Sequence, residues 1–293
     1  MKFLLGGFSL AFGLAATATA QDASELDEDA VILQPSSEWQ LREMDDRCRL
    51  SRRFGEGENR TTLWLDQGGA EPFYNLTMIG RPFRNLYGQF TQIQFGPDEK
   101  PSIRGYIYAK SKSGRPVMVM HGIELAPGER GPESEFQPAE QLSDDRLEAI
   151  EHLTIYRAVM DPVRFVTGSL KEPLDQLQIC ATVLGAKLTL AGMITSENSR
   201  PPVKANDDDW GDYIRYPNYL ARSGVVGQVN IRLTVSKTGK AVNCQITGSN
   251  SPQVFDDEVC FGLMKKAEFE PALDENGEPT SSYYNTSIEF TIK

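Results

Sequence analysis

The sequence has little that familiar catalytic chemistry would use. Its 293 residues hold two histidines, His121 and His152. Neither has a nucleophile motif beside it, and no carboxylate pair or completed phosphate loop stands nearby. The glycines of "RRFGEGENR", Gly55 and Gly57, fit no Walker or dinucleotide pattern and read as a turn between strands. Both histidines are therefore assigned structural roles, and no catalytic residue or cofactor is expected. Positive charge is also short: 30 Lys and Arg stand against 41 Asp and Glu, a formal net charge of −11. Such a surface repels phosphate backbones, which excludes nucleic acid as a partner. Beyond residue 20 no apolar run reaches membrane-spanning length. The four cysteines, at 48, 180, 244 and 260, lack zinc-ribbon spacing, so no metal site is expected.

What is present begins with an export signal. Lys2, the apolar run 3–16 and the small residues 17–20 form a secretory leader, with cleavage expected after Ala20. An uncleaved anchor is the other reading, and a short run rich in Gly and Ala disfavours it. Residues 21–36 are expected to be a disordered acidic tail, since Asp22, Glu25, Asp27, Glu28 and Asp29 accompany little that can be buried. An even number of cysteines in an exported chain favours disulfides over free thiols. The triplets at Asn59, Asn75 and Asn285 would matter only in a eukaryotic secretory route.

The chain is expected to divide near "ENSRPPVKANDDDWGD", where prolines and three successive aspartates interrupt the hydrophobic pattern. The boundaries are 37–195 for a β-rich domain of unknown role, 196–212 for a linker and 213–293 for a second domain. That division separates the cysteines two and two, making Cys48 with Cys180 and Cys244 with Cys260 the simplest of the three ways of pairing them. Strands are expected at 61–66, 74–79, 90–95, 102–109 and 115–120. A helix is expected from Ser143, carrying Leu147, Ile150 and Leu153, then the strand "VRFVTG" and a second helix over 170–184.

From Tyr216 the pattern sharpens. Val229, Ile231, Leu233 and Val235 alternate with polar residues, 237–240 make a turn, and Val242, Cys244 and Ile246 continue the alternation as a hairpin. Ser251 as N-cap and Pro252 in the first turn open a helix to Lys266, with acids early and lysines late. Pro271 stops helical continuation, Asn276-Gly277 turns the chain, and Tyr284, Thr286, Ile288, Phe290 and Ile292 alternate as a last strand. The fold class is α+β, with a strand-strand-helix-strand unit at the end. Cys260 on the helix could then meet Cys244 on the second strand.

Tyr216-Pro217, Gly224 with Gly227, "GQVNIRLTV", Gly239, "FDDEV" and "AEFEPA" resemble, in type, order and spacing, the C-terminal domain of TonB-like energy transducers. The cysteine-bearing form is similar to a variant of that family. The resemblance implies an exported periplasmic protein of the cell envelope that binds extended peptides at a sheet edge, linked to TonB-type transport. An outer-membrane receptor or a cell-wall component is the implied partner; a homodimer is a separate expectation. Candidate partner-binding residues are Tyr213, Ile214, Arg215, Tyr216 and Pro217, with Tyr284, Thr286, Ile288 and Phe290 on the last strand. Strand addition needs few particular side chains because backbone groups make the contact. Well-known transducers carry Gln-Pro where this chain has "DYIR", and their anchor histidine and Pro-rich linker have no counterpart here. The alternative is a periplasmic enzyme that uses the TonB-like unit for targeting.

Overall fold

The computed structural model describes residues 30–96, 99, 101–125, 142–205 and 210–292. The leader and the acids at 22–29 lie outside the described residues. The fold is α+β. Its first half is built on two sheets. One is antiparallel and six-stranded, in spatial order Gln40–Glu43, Cys48–Phe54, Thr61–Gln67, Tyr74–Ile79, Pro116–Ile123 and Ile107–Lys110. The other is five-stranded: Val31–Leu33, Val163–Val166, His152–Ile155, Phe90–Phe95 and Ser102–Gly105. Phe54 of one sheet meets Phe165 of the other edge-on, with ring centroids 5.2 Å apart, so aromatic packing joins the layers.

Several expectations need correction. The stretch 102–109 is two strands, because Tyr106 between them is buried, its hydroxyl shared by the Tyr87 and Gly88 carbonyls, and the chain leaves one sheet for the other there. The helix at Ser143 has its side-chain cap, Ser143 Oγ accepting from the Arg146 N–H, but spans only Asp144–Ala149. Leu153 belongs to a strand pinned on both sides, by Phe90–Phe95 and by Val163–Val166. The tail is shorter than expected: Val31–Leu33 pairs in parallel with Val163–Phe165, and Leu33 is buried. Burial of an apolar side chain offsets the entropy of ordering these residues.

The helix over Lys171–Ala191 outruns its expected end by two turns. It lays Leu174, Leu177, Ala181, Leu184 and Leu188 into the core of this half, and Cys180 is bonded to Cys48 with the Cα atoms 6.1 Å apart. Gly185 is in this helix because a Cβ there would come within 3.2 Å of the Gly69 backbone and 3.3 Å of the Tyr283 hydroxyl.

A second hydrophobic cluster forms from Trp210 to Phe290. It is covered by a three-stranded antiparallel sheet, Ala241–Ser249, Gly227–Val235 and Ser282–Phe290, with the helix Gln253–Lys266 packed on it. Pro252 itself caps the helix, and Ser251 instead donates to the Gln228 carbonyl. Cys244 and Cys260 are bonded, Cα atoms 5.6 Å apart. Replacing both by alanine removes the closure of this loop and should cost about 3 kcal/mol. Urea unfolding of the variant checks this, with an unchanged midpoint counting against it.

The described parts of the expected linker 196–212, residues 196–205 and 210–212, are strapped to the C-terminal half. Arg200 and Leu273 exchange two backbone hydrogen bonds, Val203–Lys204 pairs with Phe269–Glu270, and Trp210 is buried against Phe269 and Tyr284. Polar and apolar contacts join the two cores: Tyr283 packs against the first and Phe90 against the second. Asn75 donates to Asn243 at 2.8 Å, Tyr283 to the Gly68 carbonyl at 2.5 Å, Ser282 to the Leu188 carbonyl at 2.9 Å, and Arg232 pairs with Glu71. Asn75 therefore has a packing role: it is buried in the contact between the halves.

Candidate functional site

Which backbone groups remain unused decides where an extended partner could add. The central strand Gly227–Val235 is paired on both sides, so its ladder is closed. The strand Ser282–Phe290 pairs with it along its whole length and, among the described residues, has no strand on its other side. One row of N–H and C=O groups thus faces outward. The long helix and the loop at Gly68 cover Ser282 and Tyr283. From there Asn285, Ser287 and Glu289 are exposed, so the open run is 285–289.

The inward side chains hold this strand in place. Phe290 stacks on Phe255 at 3.8 Å, Tyr216 meets both rings edge-on, and Tyr284 packs against Phe269 at 5.0 Å. On the outward face Gln228 Nε2 donates to Ser287 Oγ at 2.8 Å, Ser287 bonds Asn230, and Arg232 reaches Asn285 at 3.4 Å. Tyr284, Ile288 and Phe290 are thereby anchors of the edge, and what the strand can offer a partner is its backbone and its polar outer face.

The other candidates are placed differently. Residues 213–217 form no strand: the one-turn helix Trp210–Asp212 precedes them and the helix Asn218–Arg222 follows. Ile214 and Pro217 are buried, and Tyr216 donates its hydroxyl to the Val225 carbonyl. A Cβ on Gly262 would lie 2.4 Å from the Tyr213 carbonyl oxygen, so the segment is clamped to the helix Gln253–Lys266. Its backbone is therefore committed to the core and does not continue the open edge. Arg215 alone projects, bonding Glu258 and Gln89 at 2.5 Å each. It lines a cleft of about 500 Å³ between the two halves, with Phe90, Ile103, Arg157 and Tyr219.

The histidines are not brought together: His121 is in the six-stranded sheet and His152 in the five-stranded one. Burial and the Arg47 charge lower His121 to about 4, so it is neutral at ordinary pH. Among the described residues no group of three or more His, Cys, Asp or Glu could hold a metal ion. A second strongly perturbed group, invisible to motif reading, is Asp257. Burial raises it to about 6, against the Arg104 charge and the Gly105 N–H, which lower it, while Glu258 raises it further. It sits where the helix Gln253–Lys266 meets Ser102–Gly105 of the first half.

The two shifts have opposite signs. Between about pH 4 and 6 the folded state binds the Asp257 proton more readily than the unfolded chain does, so this contribution is present at low pH and lost as pH rises through 6. For His121 the unfolded chain binds the proton first, so its contribution is lost as pH falls from about 6.5 towards 4. Asp257→Asn should keep only the second slope. Relative to the parent it should gain about 1–2 kcal/mol between pH 4 and 7, less than the full shift implies because the side chain retains some water contact. Chemical unfolding at a series of pH values checks this, and a constant difference would refute it.

Comparison with known proteins bears on the same region. Residues 212–292 match the family model for the Gram-negative bacterial TonB protein C-terminal. No curated protein matches the chain.

Proposed function

We propose that this protein, which ends in a TonB-like C-terminal domain, is an exported envelope protein that captures an extended protein segment by adding it as a fourth strand along residues 285–289. The observation that carries this is the unpaired edge of Ser282–Phe290, held flat by Phe290 and Tyr284 and open over its second half. Main-chain hydrogen bonds supply the affinity in this mode, and side-chain pockets set the preference. The partner is a segment of an outer-membrane receptor or of a cell-wall-associated protein. The two disulfides fit an oxidising compartment, and no helix among the described residues is long and apolar enough to cross a membrane. The β-rich half packs on the sheet through Asn75, Glu71 and the long helix, and so sets which part of the edge is open. Pull-down of envelope extract on the purified protein should recover receptors or wall-associated proteins. Recovery of nothing above an unrelated control domain would overturn the reading.

A further inference from the structure

The helix Lys171–Ala191 buries one stripe and leaves a second one bare. Ile179, Val183, Ala186 and Leu190, continued past the helix end by Ile194, recur at steps of four, three, four and four residues. Ile179 is 68% exposed, Val183 53%, Leu190 62% and Ile194 74%, and Ala186 is exposed too. The outer face of a surface helix is ordinarily polar. Here about 17 Å of it, from Ile179 to Leu190 at 1.5 Å per residue, is aliphatic, and contiguous exposed apolar surface of this kind marks an interaction site.

We propose that this stripe is the contact surface for a second copy of the chain, the two helices packing antiparallel about a twofold axis between Val183 and Ala186. Steps of three and four are those by which side chains of one helix fill the gaps of another. Over its four helical positions the stripe also reads alike from either end, with steps of four, three and four. In an antiparallel pair Ile179 lies opposite Leu190 of the partner subunit and Val183 opposite the small Ala186 of the partner subunit, which lets the backbones approach closely at the centre. A twofold contact requires this self-complementarity, because one patch must serve both sides.

Charge narrows the occupant further. Between Gln176 and Ser196 the one ionisable side chain is Lys187, and Glu43 already engages it at 2.7 Å. Copies with a net charge of −11 repel across most of their surface, and this strip is where they can meet without that penalty. The same net charge disfavours an anionic lipid surface. Leu41, exposed on the edge strand Gln40–Glu43 that Lys187 reaches, extends the patch sideways. A single helix pair covers less than the roughly 1,600 Å² of a standard interface, so the dimer is weak and reversible.

Sedimentation velocity of the purified protein over roughly 5–500 μM, a range that brackets a micromolar dissociation constant, should show a concentration-dependent monomer–dimer equilibrium. Leu190→Asp should raise the dissociation constant at least tenfold with no change in melting temperature, the side chain being exposed. Ala186→Cys should give a disulfide-linked dimer on mild oxidation, and Ser113→Cys, on an exposed turn, should not. A monomer throughout, a Leu190→Asp variant that dimerises as tightly as the parent, or Leu190-dependent flotation with anionic vesicles in place of dimerisation would overturn the proposal. Residues 285–289 are elsewhere, so failure of the edge reading leaves this test intact.

Discussion

Single prolines placed at 285 to 289 should fall into two classes that alternate with position. A proline whose missing N–H points away from Gly227–Val235 costs the fold little, because an edge strand tolerates it, but it removes one partner hydrogen bond and puts a ring where the added strand must lie. Binding of the recovered partner segment should drop at least tenfold. A proline at the intervening positions deletes a bond to the central strand and should cost about 3 kcal/mol or more of stability. Binding titrations with thermal melts on the five variants separate the classes. Loss of binding with no period of two, or no loss at the stable positions, would rule out strand addition at this edge.

Phe255→Ala should be the most destabilising single change in the C-terminal half, at about 3–5 kcal/mol. Phe255 is fully buried, stacked on Phe290 at 3.8 Å and contacted edge-on by Tyr216. Truncation leaves a cavity under the last strand and frees the 213–217 segment at the same point. Hydrogen exchange should show protection lost first across Ser282–Phe290 and the helix Gln253–Lys266, with the Cys48–Phe54 and Thr61–Gln67 strands still protected. Denaturant unfolding gives the magnitude, and a cost below about 1 kcal/mol would mean that the aromatic stack does not hold the edge.

The C-terminal unit was legible because each signal was local. Strict alternation over 229–235, glycine at the 237–240 turn and acids early with lysines late in the next helix each point to one local structure. Misreadings came where local signals competed. Leu147, Ile150 and Leu153 keep a helical step of three, yet His152–Ile155 is a strand because two neighbouring strands pair with it. Cys48–Phe54 carries no clear strand signal, although Cys48, Leu50 and Phe54 point inward, since its arginines mask the alternation. Arg49 lies over Trp64 at 3.8 Å and pairs with Asp66 at 2.6 Å, contacts between residues distant in sequence. Of the candidate site the last strand is legible in the sequence, whereas the clamping of 213–217 is not, because a clamped extended segment and a free one share the same local pattern.

The α+β class, the strand-strand-helix-strand order of the C-terminal unit and the helix with its charge gradient follow from local sequence, because periodicity, capping and turn chemistry act within a few residues. Tertiary packing alone straps 196–205 and 210–212 to the C-terminal half, clamps Tyr213–Pro217 against Gly262, and lays the long helix over Ser282 and Tyr283 so that 285–289 stay open. Those outcomes depend on which surfaces meet across more than a hundred residues, as Leu188 and Ser282 or Asn75 and Asn243 do. Local pattern carries no record of such meetings.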